Sequence, residues 1–158
     1  MPSFINKKTA YCLYVAVFLL LFDRFLKIFI WFNQDFEYQI IKEYFKISFV
    51  LNPYIAFSLP LSGSILITVI IVILILLLLA IIRLYLARNY YASGLFSIIF
   101  LGASSNLYDR FKYGAVIDYF DLRYFTVFNL ADSMIVVAAI VLIFTLSSKK
   151  SAFTFSDQ

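Results

Sequence analysis

Four apolar blocks organise the chain, at residues 10–32, 65–82, 91–106 and 127–146, and the polar residues gather at their edges. Blocks near 20 residues match the length of a helix that crosses the hydrocarbon core of a bilayer. The pattern predicts four transmembrane helices. The second block has Thr68 as its only polar residue. The third is shorter and rich in small residues, among them Ser93, Gly94, Ser97, Gly102, Ala103 and Ser104. Such residues let helix backbones approach closely in lipid. Asp23 and Arg24 interrupt the first block, but apolar character resumes at once as FLKIFIWF. No small-x-small cleavage pattern follows, which favours a retained helix over a removed leader.

Between the blocks the period changes. In FKISFVL, residues 45–51, Phe45, Ile47, Phe49 and Leu51 alternate with Lys46, Ser48 and Val50. That is a strand period, carried by aromatic and β-branched residues. VIDYFDLRYF, residues 116–125, has the same composition. These stretches lie in the two loops, 33–63 and 107–126, on one side of the four spans. The expected architecture is a mainly α membrane protein. Four transmembrane helices carry a small extracytoplasmic β-sheet formed by the outer loops, in a single domain over residues 1–158. The tail SAFTFSDQ reads as frayed or lying on the surface.

Composition supports the membrane reading. The chain is 64% hydrophobic, where soluble domains are about half apolar. Its net charge of +4 is spread out: Lys7 and Lys8 precede the first block, Arg83 and Arg88 follow the second, and Lys149 and Lys150 follow the fourth. This is the positive-inside pattern, not a nucleic-acid footprint. It places both termini in the cytoplasm, with membrane lipids as the surroundings. Aromatic residues form 20% of the chain. In FEYQIIKEYFKISF, residues 36–49, they suit either interfacial anchoring or a cradle for substrate.

Missing residue types narrow the chemistry. The chain has no histidine, which removes Ser-His-Asp triads, Cys-His pairs and HExxH zinc sites. The lone Cys12 sits in apolar surroundings, where a thiol is inert. It follows Thr9-Ala10-Tyr11, a poor lipobox. No metal and no cofactor are expected.

Nine polar residues exceed what a plain four-helix protein needs: Asp23, Lys27 and Asn52; Asn106, Asp109 and Arg110; Asp118, Asn129 and Asp132. The topology brings nearly all of them to the outer membrane surface. Asp23 and Lys27 are i, i+4 and share a helix face, as do Asn129 and Asp132 at i, i+3. The Asp23–Lys27 pair reads as a support for the bundle. Asp109 and Arg110 are adjacent and read as an ion pair at a helix end or in a loop. Alternatively, Arg110 presents its guanidinium to a peptide carbonyl or a lipid headgroup. Asp118 and Asp132 have no cation at a fixed local spacing. Two carboxylates held close share one proton and can run aspartyl-protease chemistry, with neither histidine nor metal. The rival readings are a small four-helix proton-coupled transporter or channel subunit, and aspartates that merely cap or hold helices. Transporter sites lie near the midplane rather than at one face, which weighs against the first rival. A serine–lysine peptidase is disfavoured: Asp23 accounts for Lys27, and Ser133 points off the Asn129–Asp132 face.

These residues resemble the lipoprotein signal peptidase (signal peptidase II) family of bacteria. DRFLK at 23–27, LNPYIAFS at 51–58, GASSNLYDR at 102–110, VIDYF at 116–120 and FNLADSMI at 128–135 are similar to its motifs, in its order. The resemblance implies an intramembrane aspartyl endopeptidase of the bacterial cytoplasmic (inner) membrane. It implies that Asp118 and Asp132 are catalytic, that Asn52, Asn106, Arg110 and Asn129 bind substrate, and that Asp23, Lys27 and Asp109 support them. The implied substrate is a lipid-modified prolipoprotein cut just before its diacylglyceryl-Cys, near the outer leaflet. A monomer is implied, with no cofactor. Tyr54 and Ile55 depart from small residues in the outer-loop motif, and Leu101 and Ser105 from glycine-rich positions. The span between the two aspartates is shorter than the family pattern.

Overall fold

Apolar segments of this length satisfy their backbone groups internally as helices. The computed structural model describes residues 7–54 and 62–154. Among these, four helices form: α1 (Lys7–Phe32), α2 (Gly63–Leu86), α3 (Tyr90–Tyr113) and α4 (Leu130–Thr154). The loops supply β1 (Tyr38–Ile41), β2 (Phe45–Asn52), β3 (Val116–Leu122) and β4 (Val127–Phe128). The strands make one antiparallel sheet in the order β1-β2-β3-β4. The expected mainly helical fold with a small sheet is therefore present, and both stretches with strand character are strands.

α3 is the central helix and packs against α1, α2 and α4. Its glycines make this possible. A Cβ on Gly94 would lie 2.8 Å from Cys12 Cβ on α1, and one on Gly102 would lie 2.8 Å from the Ala131 carbonyl oxygen on α4. Ser93 Oγ donates to the Ile81 carbonyl at 3.2 Å and ties α2 to α3.

Three helix boundaries differ from expectation. α3 runs on to Tyr113 and stops at Gly114, whose φ of +72° suits a glycine C-cap. Asp109 and Arg110 therefore lie within a helix, not in an outer loop. Their polarity lowers the hydropathy of the last turns, but Asp109 is wholly buried among partners that a hydropathy profile does not register. α4 begins at Leu130, because Val127 and Phe128 join the sheet as β4. At its other end α4 continues to Thr154, so residues 151–154 of the tail are helical. Ile55 and residues 155–158 lie outside the described residues.

By length and composition, α2 is the one helix among the described residues that meets the requirement for crossing a membrane; α4 holds a shorter apolar stretch, Leu130–Thr145. α1 and α3 are diluted by charged residues, several of which face inward: Asp23, Lys27 and Asp109 are at most 1% exposed.

The sheet closes one end of the bundle. Ile30 of α1 meets Ile117 and Tyr119 of β3, with Trp31, Phe49 and Leu130 packed around them. Trp31 also lies 4.2 Å, centroid to centroid, from Tyr113 at the end of α3. Alternate strand residues face opposite sides. Ile117 and Tyr119 enter this core, so Val116 and Asp118 face a cavity beside α4.

Candidate active site

The cavity holds about 450 Å³. Asn52, Asn106, Arg110, Asp118 and Asp132 line its polar end, while Phe125, Val127, Phe128, Ile135, Val136 and Val137 line the apolar remainder. Five separate stretches of chain thus place side chains at one spot, and both aspartates are among them.

Asn129 joins the two carboxylates. It is the residue before α4, so its side chain faces the free N–H groups of the first turn. Asn129 Oδ1 accepts from the Asp132 N–H at 2.9 Å, and Asp132 Oδ2 accepts from the Asn129 N–H at 3.2 Å. This is a reciprocal capping box with Asn and Asp in the two roles. The amide nitrogen of Asn129 is left free to donate to Asp118 Oδ1 at 2.7 Å. The same residue therefore holds both acids.

Every oxygen of the pair has an amide donor. Asn52 Nδ2, at the end of β2, donates to Asp118 Oδ2 at 3.0 Å. Asn106 Nδ2, from α3, donates to Asp132 Oδ1 at 2.7 Å. Burial pushes the Asp118 carboxyl up to about 7, and the nearby Asp132 charge pushes the same way; the bonds from Asn52 and Asn129 oppose both. Asp118 therefore gives up its proton only near neutral pH, well above the ordinary carboxylate range.

A charge cluster lies behind this site. Lys27 Nζ donates to Asn106 Oδ1 at 2.8 Å and pairs with Asp109 at 2.8 Å and Asp23 at 3.2 Å. The i, i+4 pairing of Asp23 with Lys27 is present as the helical spacing predicts. Arg24 Nη1 donates to Asp109 Oδ1 at 2.7 Å, and its Nη2 reaches Asp23 at 3.2 Å. Two carboxylates and two cations balance inside the bundle, as buried charges must.

The expected Asp109–Arg110 ion pair is absent. Consecutive helix residues do not face each other. Asp109 turns to Arg24 and Lys27, while Arg110 turns to the cavity. Arg110 Nη2 donates to the Tyr54 carbonyl at 2.9 Å, and Nη1 donates to the Asn106 carbonyl at 3.4 Å. The Tyr54 N–H in turn donates to Asn52 Oδ1 at 3.0 Å. Tyr54 is thus held here by its backbone, and its side chain is exposed.

Three contributors lie beyond what the sequence pattern singles out. Arg24 is visible there only as an arginine inside an apolar run, itself a sign of a specific partner. Ser105 stands out only as a departure from glycine, yet its Oγ donates to Asp23 Oδ2 at 2.6 Å. Tyr119 donates to Asp23 Oδ1 at 3.0 Å across 96 residues, a separation with no local signal. Ser133 does line the cavity, contrary to its expected direction. Its hydroxyl donates to the Asn129 carbonyl at 3.2 Å, and Lys27 is engaged elsewhere, so no serine–lysine couple forms. Among the described residues, no group of three or more Asp, Glu or Cys side chains converges as a metal site would require.

The family model described as signal peptidase (SPase) II matches residues 15–148. The lipoprotein signal peptidase of Halothermothrix orenii is 36% identical over 138 residues, covering 82% of this chain and 90% of the relative. That of Pelagibacter ubique is 32% identical over 148 residues, covering 88% and 89%. A bacterial membrane enzyme solved by the in meso method at 2.3 Å superposes with a TM-score of 0.77 at 26% identity, over 90% of this chain and 91% of that one. A second, solved at 1.9 Å, gives 0.67 at 28% identity, over 87% and 92%. The transporter alternative finds no support among them. A match over most of the chain, with relatives of nearly the same length, means that this chain belongs to the signal peptidase II family, the aspartic endopeptidases that process lipoproteins in the bacterial inner membrane.

Proposed function

We propose that Asp118 and Asp132 are the catalytic dyad with which this chain removes the signal peptide from diacylglyceryl-modified prolipoproteins, cutting just before the lipidated Cys. The observation that carries the reading is Asn129, bonded to both carboxylates at the polar end of an otherwise apolar cavity.

The chemistry follows from one shared proton. Burial beside the Asp132 charge pushes the Asp118 carboxyl up to about 7, so the pair keeps one proton near neutral pH. Asp132 lies at the third position of α4, where the helix dipole and the capping N–H favour negative charge. The ionised carboxylate takes a proton from water as the water oxygen attacks the scissile carbonyl carbon. The protonated carboxyl donates to the carbonyl oxygen, and no covalent enzyme intermediate forms. The tetrahedral species collapses as the carboxyl that took the water's proton passes it to the leaving nitrogen; the C–N bond breaks, and the new product's carboxyl returns a proton to the other acid. The amide side chains hold both acids in place, so little reorganisation is needed at the moment of reaction.

Asn52, Asn106, Arg110 and Asn129 orient the peptide or the dyad, and Asp23, Lys27 and Asp109 support them. The four helices are the four spans, residues 1–158 form one domain, and the termini are cytoplasmic. The dyad then lies near the outer leaflet, where a signal helix ends and the acyl chains can lie against lipid-facing walls. The apolar part of the cavity suits such a substrate, and the enzyme works as a monomer among membrane lipids.

A gel-shift assay with a purified diacylglyceryl-modified proprotein tests the assignment. Asp118→Asn and Asp132→Asn each fold and release no signal peptide. Wild-type turnover in either variant would overturn the dyad.

A further inference from the structure

A helix start leaves four N–H groups without intrahelical partners. In α4 each of them is met, and the partners divide into two sets. Asn129 and Asp132 serve each other: Asp132 N–H donates to the Asn129 side chain at 2.9 Å and Asn129 N–H to Asp132 Oδ2 at 3.2 Å. The other two donors are met from elsewhere in the chain. Leu130 N–H donates to the Tyr119 hydroxyl at 3.0 Å, and Ala131 N–H donates to Asp23 Oδ1 at 3.2 Å. The Tyr119 hydroxyl directs its single proton to that same Asp23 oxygen, at 3.0 Å.

We propose that Tyr119 is a positioning residue for cleavage: its hydroxyl, held between Asp23 and the Leu130 N–H, fixes the start of α4 and so places Asp132 relative to Asp118. The inference rests on the dyad reading above.

Chain geometry supports it. Tyr119 follows Asp118 on β3, so one short, sheet-paired segment carries an acid on one face and this hydroxyl on the other. Leu130 precedes Asp132 by two residues on α4. The Tyr119–Leu130 bond therefore spans the gap between the two elements that carry the dyad. The tyrosine is itself immobilised. It is 0% exposed, its ring meets Phe120 edge-on at 4.7 Å, and it packs with Ile30 and Ile117. Burial, reinforced by the Asp23 charge, pushes the phenol far above its ordinary range and keeps it a neutral donor. Hydrophobic packing alone would be met by phenylalanine; the hydroxyl has a separate task.

The test uses the full-length chain in detergent with the diacylglyceryl-modified proprotein. Tyr119→Phe keeps the ring and removes the tie. Its expected effect is a fall in kcat of roughly 10- to 100-fold, with KM within about two-fold, as for a displaced catalytic group. Ser97→Ala is the control. It removes a buried hydroxyl of α3 that bonds within its own helix, to the Ser93 carbonyl at 2.9 Å, and it retains kcat. Leu130→Pro deletes the same bond from the other partner, at the first helical position where proline is accepted. It loses kcat as Tyr119→Phe does, whereas Leu130→Ala, which keeps the N–H, does not. Full kcat in Tyr119→Phe, an effect confined to KM, or equal loss in Ser97→Ala would overturn the proposal. Should Tyr119→Phe not fold, the comparison of Leu130→Pro with Leu130→Ala decides, and equal rates in those two overturn the positioning role. Asp132→Asn is run alongside. Turnover there sinks the dyad itself, whereas an inactive Asp132→Asn beside a full-rate Tyr119→Phe sinks only the positioning role.

Discussion

The Lys27 ammonium donates to the Asn106 side-chain oxygen at 2.8 Å, and the nitrogen of the same amide donates to Asp132 at 2.7 Å. A buried cation thus reaches the site through one polarised amide. A donor strengthened in this way favours the ionised form of the acid it faces.

Lys27→Met is therefore expected to act twice. It leaves Asp23 and Asp109 with Arg24 as their one remaining cation, an uncompensated charge in the bundle. Removing one member of a buried pair costs roughly 3–5 kcal/mol, which chemical unfolding in micelles would register. Cleavage should also fall in the fraction that remains folded, because Asn106 loses its polarising partner.

Asn129→Ala separates the joining residue from the acids themselves. It removes a helix cap, worth about 1 kcal/mol, and the 2.7 Å donor to Asp118. The expected outcome is a modest loss of thermal stability with a loss of cleavage of roughly 100-fold, since both carboxylates lose registration. A variant that is destabilised but fully active would show that the dyad does not depend on this bridge.

Stability should depend on pH through Asp118. Its carboxyl titrates near 7 in the folded protein, against about 3.9 for an unperturbed aspartate. Between those values the folded state keeps a proton that the unfolded chain has released. The contribution is complete below about pH 4 and is lost as pH rises through about 7. Unfolding midpoints should fall across this window, and Asp118→Asn should flatten the slope. Cleavage should fall above about pH 7, where the pair no longer keeps the shared proton.

Local patterns in the sequence expose much of this arrangement. Alternation over residues 45–51 corresponds to β2, and the i, i+4 spacing places Asp23 beside Lys27. Asp118 and Asp132 stand out because neither has a cation at a fixed local spacing. What stays hidden is set by distant partners. Lys27 meets Asn106 across 79 residues, and Ala131 meets Asp23 across 108. No periodicity encodes such pairs. The same limit applies to Asp109: adjacency in sequence suggests Arg110, while the 100° step of a helix sends the two apart. It applies also to the length of α3, whose polar last turns look like loop to a hydropathy profile. β1 and β4 leave no signal because one is four residues long and the other two, too short for a pattern.

The two helical glycines of α3 should fail in different ways. Gly94 and Gly102 each leave no room for a methyl group, with a would-be Cβ 2.8 Å from Cys12 Cβ and from the Ala131 carbonyl oxygen respectively. Overpacking of this kind costs roughly 1–3 kcal/mol, so Gly94→Ala and Gly102→Ala should both lower the unfolding midpoint. Only Gly102 touches the first turn of α4, one residue from Asp132. The backbone oxygen it meets cannot swing aside as a side chain would, so α4 itself must move. Gly102→Ala is therefore expected to lose cleavage by at least about 10-fold at a temperature where it is still folded, given the sensitivity of rate to sub-ångström placement. Gly94→Ala, whose strain falls between α3 and α1 near Thr9, should retain its turnover. Measuring both rates against both midpoints distinguishes the two. If cleavage tracks the midpoint equally in the two variants, the α3–α4 approach at Gly102 has no special part in aligning the acids.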